Sequence, residues 1–172
     1  MSKNLIIYYS RKGENYFGGE IKAVAKGNTH YAAEFIAQAV GGDLFEIETI
    51  HPYPADYKAC IEKAKQEMCD NARPELKKYL ADISQYNTIF VCGPCWWGTY
   101  PMAVFSQLER LKWEGKKVVA LMTHEGSGLA NSERDLKKYC QGAIVGKGLA
   151  VVGSHVQAEE APIKEWAKSQ VN

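Results

Sequence analysis

Three short stretches of this 172-residue chain carry residue types able to hold a ligand. The first, Lys26-Gly27-Asn28-Thr29-His30, runs into a helical pattern. Glycine permits close backbone approach, Asn28 and Thr29 bring side-chain donors, and a helix start points free N–H groups outward. Together these form a phosphate cradle that needs no metal. The other reading is a plain N-cap, with Asn28 or Thr29 holding the first turn. Gly27 is followed by Asn28-Thr29 where a Walker loop needs Lys, which argues against a nucleoside triphosphate. The second stretch is Pro94-Cys95-Trp96-Trp97-Gly98, extending to Pro101. Adjacent indoles between Gly and Pro offer flat faces for stacking on an aromatic ring, or else one of them caps the core or plugs a neighbouring subunit. The third is Thr123-His124-Glu125-Gly126-Ser127-Gly128. Its glycines allow close approach, its polar groups could bond the edge of a heterocycle, and a protonated His124 could stabilise an anionic ring. A turn followed by a helix start would use the same residues.

Other chemistries fit less well. Cys92-Gly93-Pro94-Cys95 has the spacing of a redox dithiol, but Cys92 closes an apolar run and is expected inside a strand, away from the helix N-terminus that activates such a thiol. The four histidines, His30, His51, His124 and His155, show no metal-ligand spacing. Gly126-Ser127-Gly128 lacks the residue that a nucleophile elbow places between glycine and serine, so no hydrolase is expected.

The three stretches need a frame. Leu5–Tyr9, Thr88–Cys92, Val118–Met122 and Leu149–Val152 are apolar nearly throughout, the pattern of strands buried on both faces. Phe45-Glu46-Ile47-Glu48-Thr49 alternates and belongs at a sheet edge. Between them lie helical patterns: Ala32 to Val40, stopped by Gly41-Gly42; Tyr57, Ile61, Ala64 and Met68; Met102, Phe105, Leu108 and Leu111; Leu136, Tyr139 and Cys140; and Ile163, Trp166 and Ala167, with Pro162 near the first turn. Strand and helix alternate five times. The fold expected is a three-layer, doubly wound α/β domain with a five-stranded parallel sheet in the order 2-1-3-4-5, one domain over residues 1–172. All three stretches then fall at the carboxyl ends of strands one, three and four, beside the switch point where such sheets bind ligands. Arg11 to Gly27 is long for a connection of this kind, so it carries function or is disordered.

Composition agrees with a single domain. The apolar fraction is 46%, and 21 Lys and Arg stand against 20 Asp and Glu. That balance argues against a nucleic-acid surface, and no apolar run is long enough to span a bilayer. Leu5–Tyr9 is too short for a signal-peptide core. Five scattered cysteines do not make a disulfide framework, and free thiols fit a cytoplasmic location.

Tyr8-Tyr9-Ser10-Arg11, Gly27-Asn28-Thr29, Pro94-Cys95-Trp96-Trp97-Gly98 and Thr123 to Gly128 resemble the flavodoxin family over nearly the whole chain, and more closely its branch of FMN-binding proteins and reductases. The resemblance implies a bound FMN. It implies that Ser10, Asn28 and Thr29 meet the phosphate, with Arg11 and Gly27 in the same motifs. Pro94 to Gly98 would follow the ribityl chain and ring, with Trp97 or Trp96 stacked on it, and Thr123 to Gly128 would border the other side. Two departures stand out. The family's loop is compact, whereas here Glu14-Asn15-Tyr16-Phe17-Gly18-Gly19 intervenes and is expected to fold over the flavin, with Asn15 or Tyr16 in contact. The family's electron carriers are strongly acidic and this chain is not. The implied function is electron transfer through FMN with a redox partner protein. The alternative is an FMN-dependent NAD(P)H oxidoreductase acting on quinones or similar acceptors.

Overall fold

The computed structural model describes residues 3–171. Its central sheet is parallel. β1 (Lys3–Tyr8) lies between β4 (Asp43–Glu46) and β5 (Tyr86–Pro94), and β6 (Lys117–His124) follows β5. The far edge holds two short strands, β7 (Ile144–Val145) and β8 (Leu149–Val152), which pair with successive halves of β6. In chain order this is the 2-1-3-4-5 arrangement, its fifth position interrupted at Gly146-Lys147-Gly148.

The apolar runs are explained by two buried faces. Leu5, Ile7, Ile89, Val91, Val118 and Ala120 enter one core, whereas Ile6, Tyr8, Phe90, Cys92, Val119 and Leu121 enter the other. Alternate residues of one strand point to opposite faces, so every position must be apolar. The second face is covered by α1 (Asn28–Val40) and α5 (Glu160–Val171), through Ala32, Ala33 and Ile36 and through Ile163 and Ala167. The first is covered by α3 (Met102–Leu108) and α4 (Ser132–Tyr139), with Met68 of α2 (Tyr57–Cys69) packed against it. α1 ends where expected: Gly41 takes φ 67° and its N–H donates to the Ala37 carbonyl, the left-handed cap that glycine makes without steric cost.

The edge strand begins two residues earlier than its alternation indicates, because Gly42 brings the chain straight into the ladder at Asp43 opposite Leu5. Leu44 remains exposed there.

The long connection after β1 is ordered. β2 (Gly13–Phe17) and β3 (Glu20–Val24) form an antiparallel ribbon separate from the main sheet. Gly18 and Gly19, at φ 61° and 96°, make its two-residue turn, as a tight hairpin turn requires. No helix among the described residues is long and apolar enough to cross a membrane.

Candidate cofactor site

The first loop closes on itself tightly. A Cβ at Gly27 would lie 2.1 Å from Ser10 Oγ and 2.6 Å from the Arg11 carbonyl oxygen, so glycine is required by space. Ser10 Oγ accepts the His30 amide at 3.0 Å, the role a capping side chain takes. Neither Asn28 nor Thr29 caps the helix with its side chain. Among the described residues the Asn28 and Thr29 amides have no protein acceptor. Two free amides, a neighbouring hydroxyl and a helix N-terminus fit an anionic phosphate group. The Thr29 hydroxyl itself is buried and bonds Thr123 Oγ1 at 2.8 Å, tying the first loop to the third.

Beside this cradle lies a cleft of about 330 Å³. Asn28, Pro94, Cys95 and Trp96 line it, as do Thr123, His124, Glu125, Gly126 and Ser127. Nine of the residues singled out from sequence therefore meet at one opening, at the carboxyl ends of β5 and β6. Its size is at the small end of ordinary ligand pockets.

The second loop is a two-residue turn. Trp96 N donates to the Thr99 carbonyl at 2.8 Å, and Trp97 and Gly98 both take positive φ, 55° and 85°. For Trp97 this conformation is strained. The turn separates the two indoles. Trp96 packs edge-on against Tyr9 and Tyr53, with ring centroids 5.2 and 5.0 Å apart, and borders the cleft. Trp97 is swung out over α2, 46% exposed, and its Nε1 donates to the Ile61 carbonyl. Of the two candidates for stacking, the structure brings only Trp96 to the cleft.

The third loop is braced. His124 Nδ1 accepts the Gly126 amide at 2.9 Å, so the neutral ring carries its proton on Nε2. The Glu125 carboxylate accepts both the amide and the hydroxyl of Ser154. Gly153 sits so close that a Cβ there would be 2.5 Å from Asn28 Nδ2. Gly128, at φ 65°, shapes the end of the loop without lining the cleft.

The hairpin forms the remaining wall. Asn15 and Tyr16 of β2 line the cleft, and Tyr57 joins them from the start of α2. Arg11 fixes this arrangement: its guanidinium donates to the carbonyls of Glu14, Pro54 and Ala55. Glu14 returns the bond by accepting the Tyr57 amide at 2.8 Å, a carboxylate on a helix N-terminus. Arg11 and Trp97 therefore lie outside the cleft and border a neighbouring cavity, while Gly98 supports the turn, its carbonyl accepting the Asn131 amide.

Sequence reasoning missed Tyr57 and Gly153. Tyr57 reads as one member of a helical stripe. Gly153 follows the fifth strand at its carboxyl end, a position that the same topological rule marks for reading. Cys92 is fully buried in β5, and burial pushes its thiol well above the ordinary range, which removes it from dithiol chemistry.

The flavodoxin family profile matches residues 21–170. The chain belongs to the flavodoxin family. Among solved structures similar to it is a protein from Bacteroides eggerthii DSM 20697 provisionally named a flavoprotein. That protein is 29% identical, covering 100% of this chain and 99% of the other at a TM-score of 0.78. A flavoprotein in complex with FMN from Lactobacillus acidophilus NCFM is 21% identical over 92% of this chain and 98% of its own, with a TM-score of 0.66. Oxidised flavodoxin 2 from Bacillus cereus is 16% identical over 98% and 97%, with a TM-score of 0.56. No curated protein matches the chain. The flavodoxin fold accounts for the placement of the three loops. The β2–β3 ribbon begins before the matched span and brings Asn15 and Tyr16 to the cleft.

Proposed function

We propose that this flavodoxin-family chain binds one FMN noncovalently in the cleft and passes electrons through it in a reducing, cytoplasmic compartment. One observation supports the reading: Asn28, whose amide at the start of α1 is free among the described residues beside the Ser10 cap, also lines a cleft bordered by Trp96, Tyr57 and Tyr16. A phosphate and a flat heterocycle joined by a polar chain need that combination. FMN supplies reversible one- and two-electron chemistry, and the protein's part is to bind and tune it. In this assignment the Asn28 and Thr29 amides and Ser10 hold the phosphate. Pro94 and Thr123 flank the chain, and the Gly126 and Ser127 backbone reaches the ring edge. Tyr16 and Asn15 keep water from one side. The location is supported by five unpaired cysteines, three of them buried.

A second reading, an NAD(P)H oxidoreductase reducing quinones or similar acceptors, is favoured by the further cavity that shares Tyr57, Cys95 and Trp96 with the cleft. Steady-state NAD(P)H oxidation by FMN-loaded protein, with a soluble quinone present, separates the two. A carrier turns over slowly until a reductase protein is added. Rapid turnover without one identifies the enzyme.

A further inference from the structure

The neighbouring cavity has a composition of its own. It encloses about 240 Å³ between the first turns of α2 and the Trp96-Trp97 turn. Three features define what it can take. Its apolar walls are Ile61, the buried Ala64 and the two indoles. Trp97 is held there by a strained φ of 55° and by its bond to the Ile61 carbonyl, an arrangement that keeps a large aromatic face at the mouth. Arg11 is at the same cavity, half-buried, with its guanidinium fixed by three backbone carbonyls and no carboxylate within ion-pair distance among the described residues. A half-buried cation without a carboxylate partner, at a cavity also walled by indoles, is complementary to a flat anion.

We propose that this cavity is a binding site for a small planar aromatic carboxylate, seated between the Trp96 and Trp97 indoles with its carboxylate toward Arg11. Ile61 and Ala64 close the far side and limit the ligand to about a single ring. Asn15, Tyr57, Cys95 and Trp96 line both this cavity and the proposed FMN cleft, whereas Arg11, Cys60, Ile61, Ala64 and Trp97 line this one alone; a ligand on that side lies beside the flavin and leaves it in place.

Calorimetric titration of the full chain with benzoate, with and without saturating FMN, tests this. One benzoate should bind in both states. Cyclohexanecarboxylate, equal in charge but not flat, and benzamide, flat but uncharged, should bind at least about fivefold more weakly. Ala64→Leu, which fills the cavity, should abolish benzoate binding and leave FMN affinity unchanged. Ala64→Val, a smaller intrusion, should weaken benzoate binding if the leucine variant does not fold. Trp97→Ala should cost about fivefold in benzoate affinity. Benzoate that competes with FMN, fails to bind either form, or binds all variants equally overturns the proposal. Benzoate binding to a chain that takes no FMN would sustain this site while refuting the flavin reading.

Discussion

At Gly27 the first loop passes beneath Ser10 so closely that any side chain must displace the hydroxyl or the Arg11 carbonyl. Gly27→Ala should therefore lower stability by about 1–3 kcal/mol, the range for overpacking a closed site. It should also weaken FMN binding, because Ser10 and the two free amides move with the loop. Chemical denaturation and a flavin titration of the same variant check both effects. Glu67 offers a test of electrostatics behind the Trp96 wall. It accepts the Tyr53 hydroxyl at 2.6 Å, and burial holds its carboxyl above the usual range, outweighing the opposing pull of Tyr53 and Lys63. A carboxyl with a raised pKa binds its proton more tightly folded than unfolded. Its favourable contribution is complete below the unfolded value of about 4.3 and is lost as pH rises through the folded one. Glu67→Gln, which keeps an acceptor for Tyr53, should raise the Tm above that of the parent at pH 7. The gap should close as the pH is taken down to about 4. An equal gap at both pH values would show that the ionised carboxylate is not penalised.

The β2–β3 hairpin stands apart from the main sheet and forms one wall of the cleft. None of its residues belongs to either hydrophobic core, and it pairs with no strand of the main sheet. Gly13 and Val24 are paired across its base, about 5 Å apart, so Gly-Gly in place of residues 13–24 would close the gap. That variant should keep the fold, with a cooperative melt, and lose about tenfold in FMN affinity through the missing Asn15 and Tyr16 contacts. Unchanged affinity would mean the hairpin only decorates the rim. The sequence carries a signal for this element: Gly18-Gly19 between Glu14–Phe17 and Ile21–Val24 is a hairpin pattern, although the length of the segment alone points only to an irregular loop. The main sheet was legible, since burial on both faces forces continuous apolar runs in β1, β5 and β6. The candidate cleft was legible where topology selected the loops that line it. It was not legible at Tyr57, whose helical stripe is divided in the structure between core and cavity. Nor did periodicity distinguish Trp96 from Trp97. Their opposite fates follow from a turn conformation that spacing does not encode.

For the molecule as a whole, three elements remote in sequence, the start of α1, the Trp96-Trp97 turn and the 123–128 loop, are brought to one edge by the parallel sheet and its crossovers. Thr29 with Thr123 and Cys95 N with the Thr123 carbonyl fasten them together, and Glu125 with Ser154 ties the third to the chain after β8. The near-zero net charge of +1 gives little long-range steering toward a basic or acidic partner. In the proposed carrier role, partner choice would rest on the contours of the cleft's rim, where Asn15 and Tyr16 of the hairpin stand. The account stands on the cleft holding FMN. The most direct measurement is a fluorescence titration of FMN with the purified chain, followed by desalting and a visible spectrum. Quenching that saturates at one FMN per chain, with a shifted flavin spectrum retained after desalting, is the predicted result. Free flavin that separates completely at micromolar protein, with no quenching, would contradict it.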